Sequence, residues 1–255
     1  MAGNEKQLCT FLFKNLNKIS LNHLGQITSL SNPQNNAGQP IPITTFEELN
    51  AIKPDSSSKK ADIYINNIGV SLKQHPSCNL FNRLQRSELP VLLKTLKIDN
   101  SDKIISKFDY AIHQLHNGQI RGRNRSWNDF LSEDNFKIIL KYLMMTGSPN
   151  IGNSMYPASL ILEGPKDLTS TIDISVFTFD EFFHKYKDKI KIAIRRSWYG
   201  QASDTEHNRA SGLMSKPGNE RWVFNTISGK PRGWRDSIPP NKRKTVYYCM
   251  IEKVK

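Results

Sequence analysis

Lys59-Lys-Ala-Asp-Ile-Tyr-Ile-Asn-Asn-Ile-Gly-Val-Ser-Leu-Lys-Gln74 sets two short runs of alternating character on either side of Asn66-Asn67. Asparagine tolerates the positive φ angles that a tight primed turn demands, so the pair predicts a two-residue hairpin turn. A turn there pairs Ile65 with Ile68, Tyr64 with Gly69, Ile63 with Val70 and Asp62 with Ser71. Side chains alternate between faces along each strand. The strands Ala61–Ile65 and Ile68–Lys73 then share an apolar face of Ala61, Ile63, Ile65, Ile68, Val70 and Leu72, which packs into a core. The other face carries Asp62, Tyr64, Gly69, Ser71 and Lys73, so a carboxylate and an amine converge diagonally on one side of the sheet.

Outward from the hairpin, a helix is expected at about Glu5–Asn17, where Leu8, Phe11, Leu12 and Leu16 share a face. A polar connection up to Pro42, rich in Asn, Gln, Ser and Pro, reads as a loop. Thr45-Phe-Glu-Glu48 has the form of a capping box and predicts a short helix ending before Pro54. Past the hairpin, a helical region is expected at about Asn79–Leu96, interrupted near Pro90, with further helices near Asp102–His116 and Glu133–Met145. The second half changes character. Apolar or β-branched runs at Ser159–Glu163, Thr171–Thr178, Ile190–Ile194, Trp222–Ile227 and Thr245–Ile251 predict strands, with one helix at about Phe179–Lys187. There is no internal repeat. The expectation is an α/β chain forming a single domain over residues 1–255.

Composition bounds the function. Of 255 residues, 37% are hydrophobic, and no apolar run reaches the length a membrane-spanning helix needs. The start of the chain lacks the pattern of a signal peptide, so a soluble, cytoplasmic protein is expected. Cys9, Cys78 and Cys249 lie far apart without CxxC spacing, against a disulfide framework or a zinc site. His113 and His116 share a helix face but have no further ligands at zinc spacing. Phosphate-binding glycine loops and the GxSxG elbow are absent. The formal net charge of +13, from 36 Lys and Arg against 23 Asp and Glu, points to a polyanionic partner, nucleic acid above all.

On the hairpin, an acid and a lysine on adjacent strands, with a main-chain carbonyl between them, suit a hard divalent cation and a water beside it. Magnesium takes oxygen ligands, keeps several waters and needs only one or two carboxylates. Such an ion lowers the pKa of its bound water and offsets charge developing at phosphorus, while Lys73 orients or deprotonates that water.

Asp62, eight intervening residues and Ser71-Leu72-Lys73 resemble the PD-(D/E)xK signature, and the chain is similar in size, charge and element order to type II restriction endonucleases. The resemblance is close over about Thr45–Arg86. It implies a restriction-endonuclease-like core with a central mixed β-sheet flanked by helices. It also implies Mg2+ held by Asp62 and the Leu72 carbonyl, with Lys73 beside the attacking water. The second acidic position of the signature is Ser71 here. Glu48, on the short preceding helix, is the candidate carboxylate to replace it, with Glu47 next, although the capping box accounts for Glu48 equally well. The literal Pro54-Asp55 lies in a polar turn and ranks below Asp62.

DNA contacts are expected elsewhere. Asn82, Arg83, Gln85 and Arg86 resemble the element behind the active hairpin that reaches phosphates, and Arg121, Arg123 and Arg125 read as backbone contacts. Base reading falls to strands and loops of about 190–255, where Asn208, Arg209, Arg221, Asn225, Arg232 and Arg235 stand near Trp222 and Trp234. The resemblance implies hydrolysis of both strands of a short specific duplex site, leaving 5′-phosphate ends, and a possible homodimer. The alternatives are a nuclease without sequence preference and a non-catalytic DNA-binding protein with a degenerate motif.

Overall fold

Asn66 and Asn67 take φ angles of 49° and 64° in the computed structural model, so the expected hairpin forms around them. The Asn66 side chain fixes the turn from outside. Its Oδ1 accepts from Thr28 N (2.8 Å) and Ser29 N (3.2 Å), and its Nδ2 donates to Gln26 O (2.6 Å). The structure describes residues 3–33, 39–52, 59–74, 83–148, 152–165, 167–226 and 231–254. Cys78, Asn79 and Asn82 therefore lie outside the described residues, as do Pro54 and Asp55.

The elements run in chain order as α1 (Gly3–Lys14), β1 (Ser20–Leu21), β2 (Gly25–Gln26), β3 (Leu30–Asn32), β4 (Ile41–Pro42), α2 (Phe46–Ala51), β5 (Ile63–Ile65) and β6 (Ile68–Gln74). They continue with α3 (Leu89–Thr95), α4 (Ser101–His116), β7 (Asn124–Ser126), α5 (Glu133–Lys141), β8 (Leu160–Gly164), β9 (Ser175–Phe177), α6 (Phe179–Tyr186), β10 (Ile190–Tyr199), α7 (Asp204–Met214), β11 (Val223–Asn225) and β12 (Lys244–Lys253). The protein is thus of mixed α/β class. Its residues group into two compact units, the first of residues 1–80, 137–189 and 253–255, the second of residues 81–136 and 190–252.

The first unit is built on a six-stranded sheet in the order β4-β3-β5-β6-β8-β9. All its pairings are antiparallel except β6 with β8, which makes the sheet mixed. The hairpin register is the expected one, with Ile63 opposite Val70, Tyr64 opposite Gly69 and Ile65 opposite Ile68. Ile63, Ile65, Val70, Leu72, Leu160, Leu162 and Val176 fill one face and pack with Leu8 and Leu12 of α1 and Leu49 of α2. On the other face Phe177 meets Phe182 and Tyr186 of α6 edge-on. Helices therefore cover both sides. The second unit holds a four-stranded sheet in the order β11-β12-β10-β7. Ala210 and Leu213 of α7 are buried against Val246 and Tyr248 on one side of it.

Several boundaries differ from the sequence reading, each for a local reason. The polar connection before Pro42 holds short strands, because β3 pairs with β5 through Leu30 and Ser31 and buries Leu30 in the core, with the two-residue β4 as the edge strand outside it. Of the helical region expected over 79–96, residues 83–96 are described; there α3 starts at Leu89, with Pro90 in its first turn rather than as an interruption, and Leu84 instead bridges Cys249. Residues 171–173 form a 3-10 turn capped by the Ser170 hydroxyl, which shortens the strand expected over 171–178 to β9. Asn208 and Arg209, read as part of a glycine-containing loop, lie on helix α7, whose first turn is capped by Ser203. No helix among the described residues is long and apolar enough to cross a membrane.

Candidate functional site

The regular β5–β6 ladder gives out at Asp62. Its N–H donates to Val70 O (2.9 Å), the carbonyl of the residue already paired with Ile63, so two residues of one strand face one of the other. A bulge of this kind swings a side chain out of the regular alternation. Asp62 thus does not stand opposite Ser71 as a regular partner. Its carboxylate reaches across instead, and Oδ2 accepts from Leu72 N (2.7 Å) and from Ser71 Oγ (3.3 Å). Lys73 Nζ donates to Ser71 Oγ (2.8 Å) and to Leu72 O (3.1 Å). Asp62, Ser71, the Leu72 backbone and Lys73 therefore form one connected group, and Ser71 sits as the polar link between the acid and the amine.

The group is sheltered. Ser71 is only 2% exposed, while Asp62 and Lys73 are half-buried. Lys60 and Ala61 donate their N–H groups to Tyr156 O (3.1 and 2.9 Å), which anchors the strand entering the bulge. Pro157 O crowds Gly69 so closely that a Cβ there would meet it at 2.3 Å. Burial holds the Lys60 ammonium below the ordinary lysine range, the Lys73 charge adds to the effect, and the Asp62 carboxylate opposes it. Lys60 is therefore a second amine within electrostatic reach of Asp62 and Lys73. The sequence reading passed over it because it lies before the alternating pattern begins.

Glu163 is the other residue that reading missed. The parallel β6–β8 register sets Glu163 beside Lys73 and Ile161 beside Ser71, so Glu163 shares the face of the Asp62 group. It is completely buried and accepts from Lys253 Nζ (2.6 Å) and Tyr186 Oη (2.5 Å). From sequence it looked like the end of an apolar strand, and only strand order reveals its neighbour.

Glu48 does what its capping box implies. Oε2 accepts from Thr44 N (2.7 Å), Thr44 Oγ1 (2.9 Å) and Thr45 N (3.2 Å), and these bonds hold its carboxyl below the usual range. Glu47 is exposed on the same helix. Among the described residues no cluster of three or more His, Cys, Asp or Glu side chains could hold a metal ion. The oxygens available to a hard cation at the hairpin are the Asp62 carboxylate, the Leu72 carbonyl and the Ser71 hydroxyl. The bonds from Leu72 N and Ser71 Oγ both fall on Asp62 Oδ2, which leaves Oδ1 its lone pairs. This is a sparse set, but it fits magnesium, which needs one or two carboxylates and fills its remaining positions with water.

The expected DNA-contacting arginines divide into two kinds. Arg86 holds Asp109 through Nε (2.7 Å) and Nη2 (3.1 Å), with Trp222 Nε1 on the same carboxylate (2.7 Å). Arg125 pairs with Asp129 (2.9 Å), Arg209 with Glu206 (2.5 Å) and Arg235 with Asp204 (2.5 Å). Asn225 accepts from Lys244 Nζ, and Arg83 lies over the Tyr248 ring at 5.3 Å. These groups are engaged by partners within the second unit. Arg121, Arg123, Arg221, Arg232 and Asn208 are exposed. His113 and His116 lie on α4, where His116 stacks on Phe224.

Neither a family model nor a curated protein sequence matches the chain. Among solved structures, the restriction endonuclease MspI in complex with its cognate DNA is similar over 96% of this chain and 78% of that one. The two are 11% identical with a TM-score of 0.30, a likeness too slight to carry an argument about fold or activity.

Proposed function

We propose that this chain is a magnesium-dependent endonuclease of the type II restriction kind, which hydrolyses double-stranded DNA at a short specific sequence. The observation that carries the reading is the connected group Asp62, Ser71, Leu72 and Lys73 at the bulged end of the hairpin. The net charge of +13 supplies a polyanionic partner. Asp62 and the Leu72 carbonyl would hold the ion, which when bound supplies Lewis acidity and a water of lowered pKa. Lys73 presents its ammonium beside that carbonyl and orients the attacking water. Ser71, in place of a second acid, carries no charge; it ties the lysine to the aspartate. Attack of the water oxygen on phosphorus breaks the bond to the 3′ oxygen, leaving a 5′-phosphate and a 3′-hydroxyl. A homodimer matches the two-fold symmetry of a palindromic site.

The test is incubation of the purified chain with phage or plasmid DNA in magnesium, with the ends of any product sequenced. Discrete fragments sharing one terminal sequence support the reading, whereas a smear points to a nuclease without sequence preference. A specific observation favours a second reading, DNA binding without cleavage: the described residues lack a cluster of three acidic or other ligating side chains. That reading expects a gel shift and intact DNA in magnesium, so reproducible cleavage by pure protein rejects it.

A further inference from the structure

The C-terminal end of α4 and the edge of the second unit's sheet bring together residues that no hairpin chemistry uses. His116 stacks on Phe224 at 4.5 Å and 20°, and its Nδ1 lies 3.2 Å from Tyr247 Oη. The chain then turns back, with Gln119 and Ile120 donating their N–H groups to Gln114 O (2.9 and 3.4 Å). It runs on into β7, which pairs with β10 through Asn124 opposite Ala193. A bond from Ile194 N to Arg123 O (2.8 Å) carries that ladder one place further. The Arg121–Arg123 segment thus runs alongside β10 in the direction of Arg196, which is exposed two residues beyond Ile194.

Arg196 is held ready. Its guanidinium lies 4.9 Å from the centre of the Trp198 ring, a cation–π contact that helps orient the planar fork of an otherwise exposed side chain. It also stands near Tyr247, where it counters the upward push of burial on the phenol. Arg86, Arg125, Arg195, Arg209 and Arg235 of this unit are each tied to a carboxylate. Arg121, Arg123 and Arg196 are exposed, and among the described residues none of them has an acidic partner. Three guanidinium groups without a carboxylate partner thus lie on β10 and on the segment leading into its neighbour β7, and a line of phosphates is a ligand that matches them.

We propose that Arg121, Arg123 and Arg196 form a contact for the phosphate backbone of DNA on the second unit, where Arg196 is held by Trp198. The inference rests on DNA being the partner, as the proposed function holds, but not on cleavage. Each phosphate contact contributes about 0.9 to the slope of log K against log salt, so loss of one weakens binding about eightfold at 0.1 M salt.

The experiment is fluorescence anisotropy of a labelled 30-base-pair duplex in EDTA, titrated at several salt concentrations between 50 and 200 mM. Wild type is compared with Arg121→Ala, Arg123→Ala, Arg196→Ala and, as a control of equal charge, Lys103→Ala. Lys103 is exposed near the other end of α4, about 20 Å away along the helix. The expected result is a slope smaller by about 0.9 for each arginine variant, with Lys103→Ala like wild type. Circular dichroism confirms that each variant is folded. Arginine variants with the slope of wild type or of Lys103→Ala overturn the proposal, as does a wild type that does not bind. A variant slope that falls while wild type cuts no DNA in magnesium leaves the contact standing and removes the nuclease reading. Cleavage with unchanged slopes does the reverse.

Discussion

Replacing Lys253 with methionine removes the ammonium that faces the Glu163 carboxylate at 2.6 Å, where the two side chains are 3% and 1% exposed. Breaking a buried pair by deleting one partner typically costs about 3–5 kcal/mol, because the remaining charge stays in a poorly solvating interior. Tyr186 Oη still donates to Glu163 at 2.5 Å, which argues for the lower end. At about 2.1 cal/mol/K per residue, a chain of 255 residues has an unfolding entropy of about 0.5 kcal/mol/K, so about 3 kcal/mol lowers Tm by about 6 °C. Differential scanning calorimetry measures it. The double variant Glu163→Gln with Lys253→Met, which removes the stranded charge, should recover at least half of the loss. Since Glu163 lies beside Lys73 in the β6–β8 register, cleavage by the single variant should also fall below wild type at a temperature where both are folded. A Tm drop under about 2 °C, or a double variant no better than the single one, refutes the reasoning.

Other substitutions separate structural from chemical roles. Thr45→Ala should cost about 1 kcal/mol as a lost helix cap; Glu48→Ala should destabilise α2 in the same way yet leave magnesium-dependent cleavage intact, whereas abolished cleavage would make Glu48 a metal ligand. Gly69→Ala drives a Cβ into Pro157 O and should cost about 1–3 kcal/mol, with a larger proportional loss of cleavage than of folded protein, read by urea denaturation beside a rate assay. His116 is held below its ordinary value of 6.5 chiefly by burial, then by His113 and Arg196. The unfolded chain therefore binds a proton that the folded chain resists, so this contribution to stability is lost as pH falls from 6.5 toward the depressed folded value. In His116→Gln that part of the pH dependence should disappear, as urea midpoints between pH 5 and 8 will show.

The hairpin was legible because three local signals agree: a turn that needs positive φ, an alternation of period two and a polar face with only one acid. The capping box at Thr45 and Glu48 was legible for the same reason, since its bonds span three residues. Asp62, Ser71 and Lys73 were brought together as expected, but the bulge was not foreseen, because it depends on Tyr156 anchoring residues 60 and 61 from far along the chain. Glu163 was hidden for a related reason: strand order across a parallel pair leaves no trace in local spacing. Helix α7 was missed because Gly212 and the polar run around Asn208 outweighed the Ser203 cap, and its buried side is only Ala210 and Leu213. Among the arginines, residue type gave the charge but not the partner, and Arg86 and Arg235 prove to be tied to carboxylates.

The central claim, that the Asp62 and Lys73 hairpin cuts DNA, is tested most directly by the rate of magnesium-dependent cleavage in wild type, Asp62→Ala and Lys73→Ala. Binding of each protein to the same DNA in EDTA is measured in parallel. The account predicts cleavage by wild type only with magnesium, a rate about 10²–10⁴ lower in Lys73→Ala, no cleavage by Asp62→Ala, and binding retained in all three. Cleavage by Asp62→Ala at the wild-type rate, or binding by wild type without any cleavage, would contradict it.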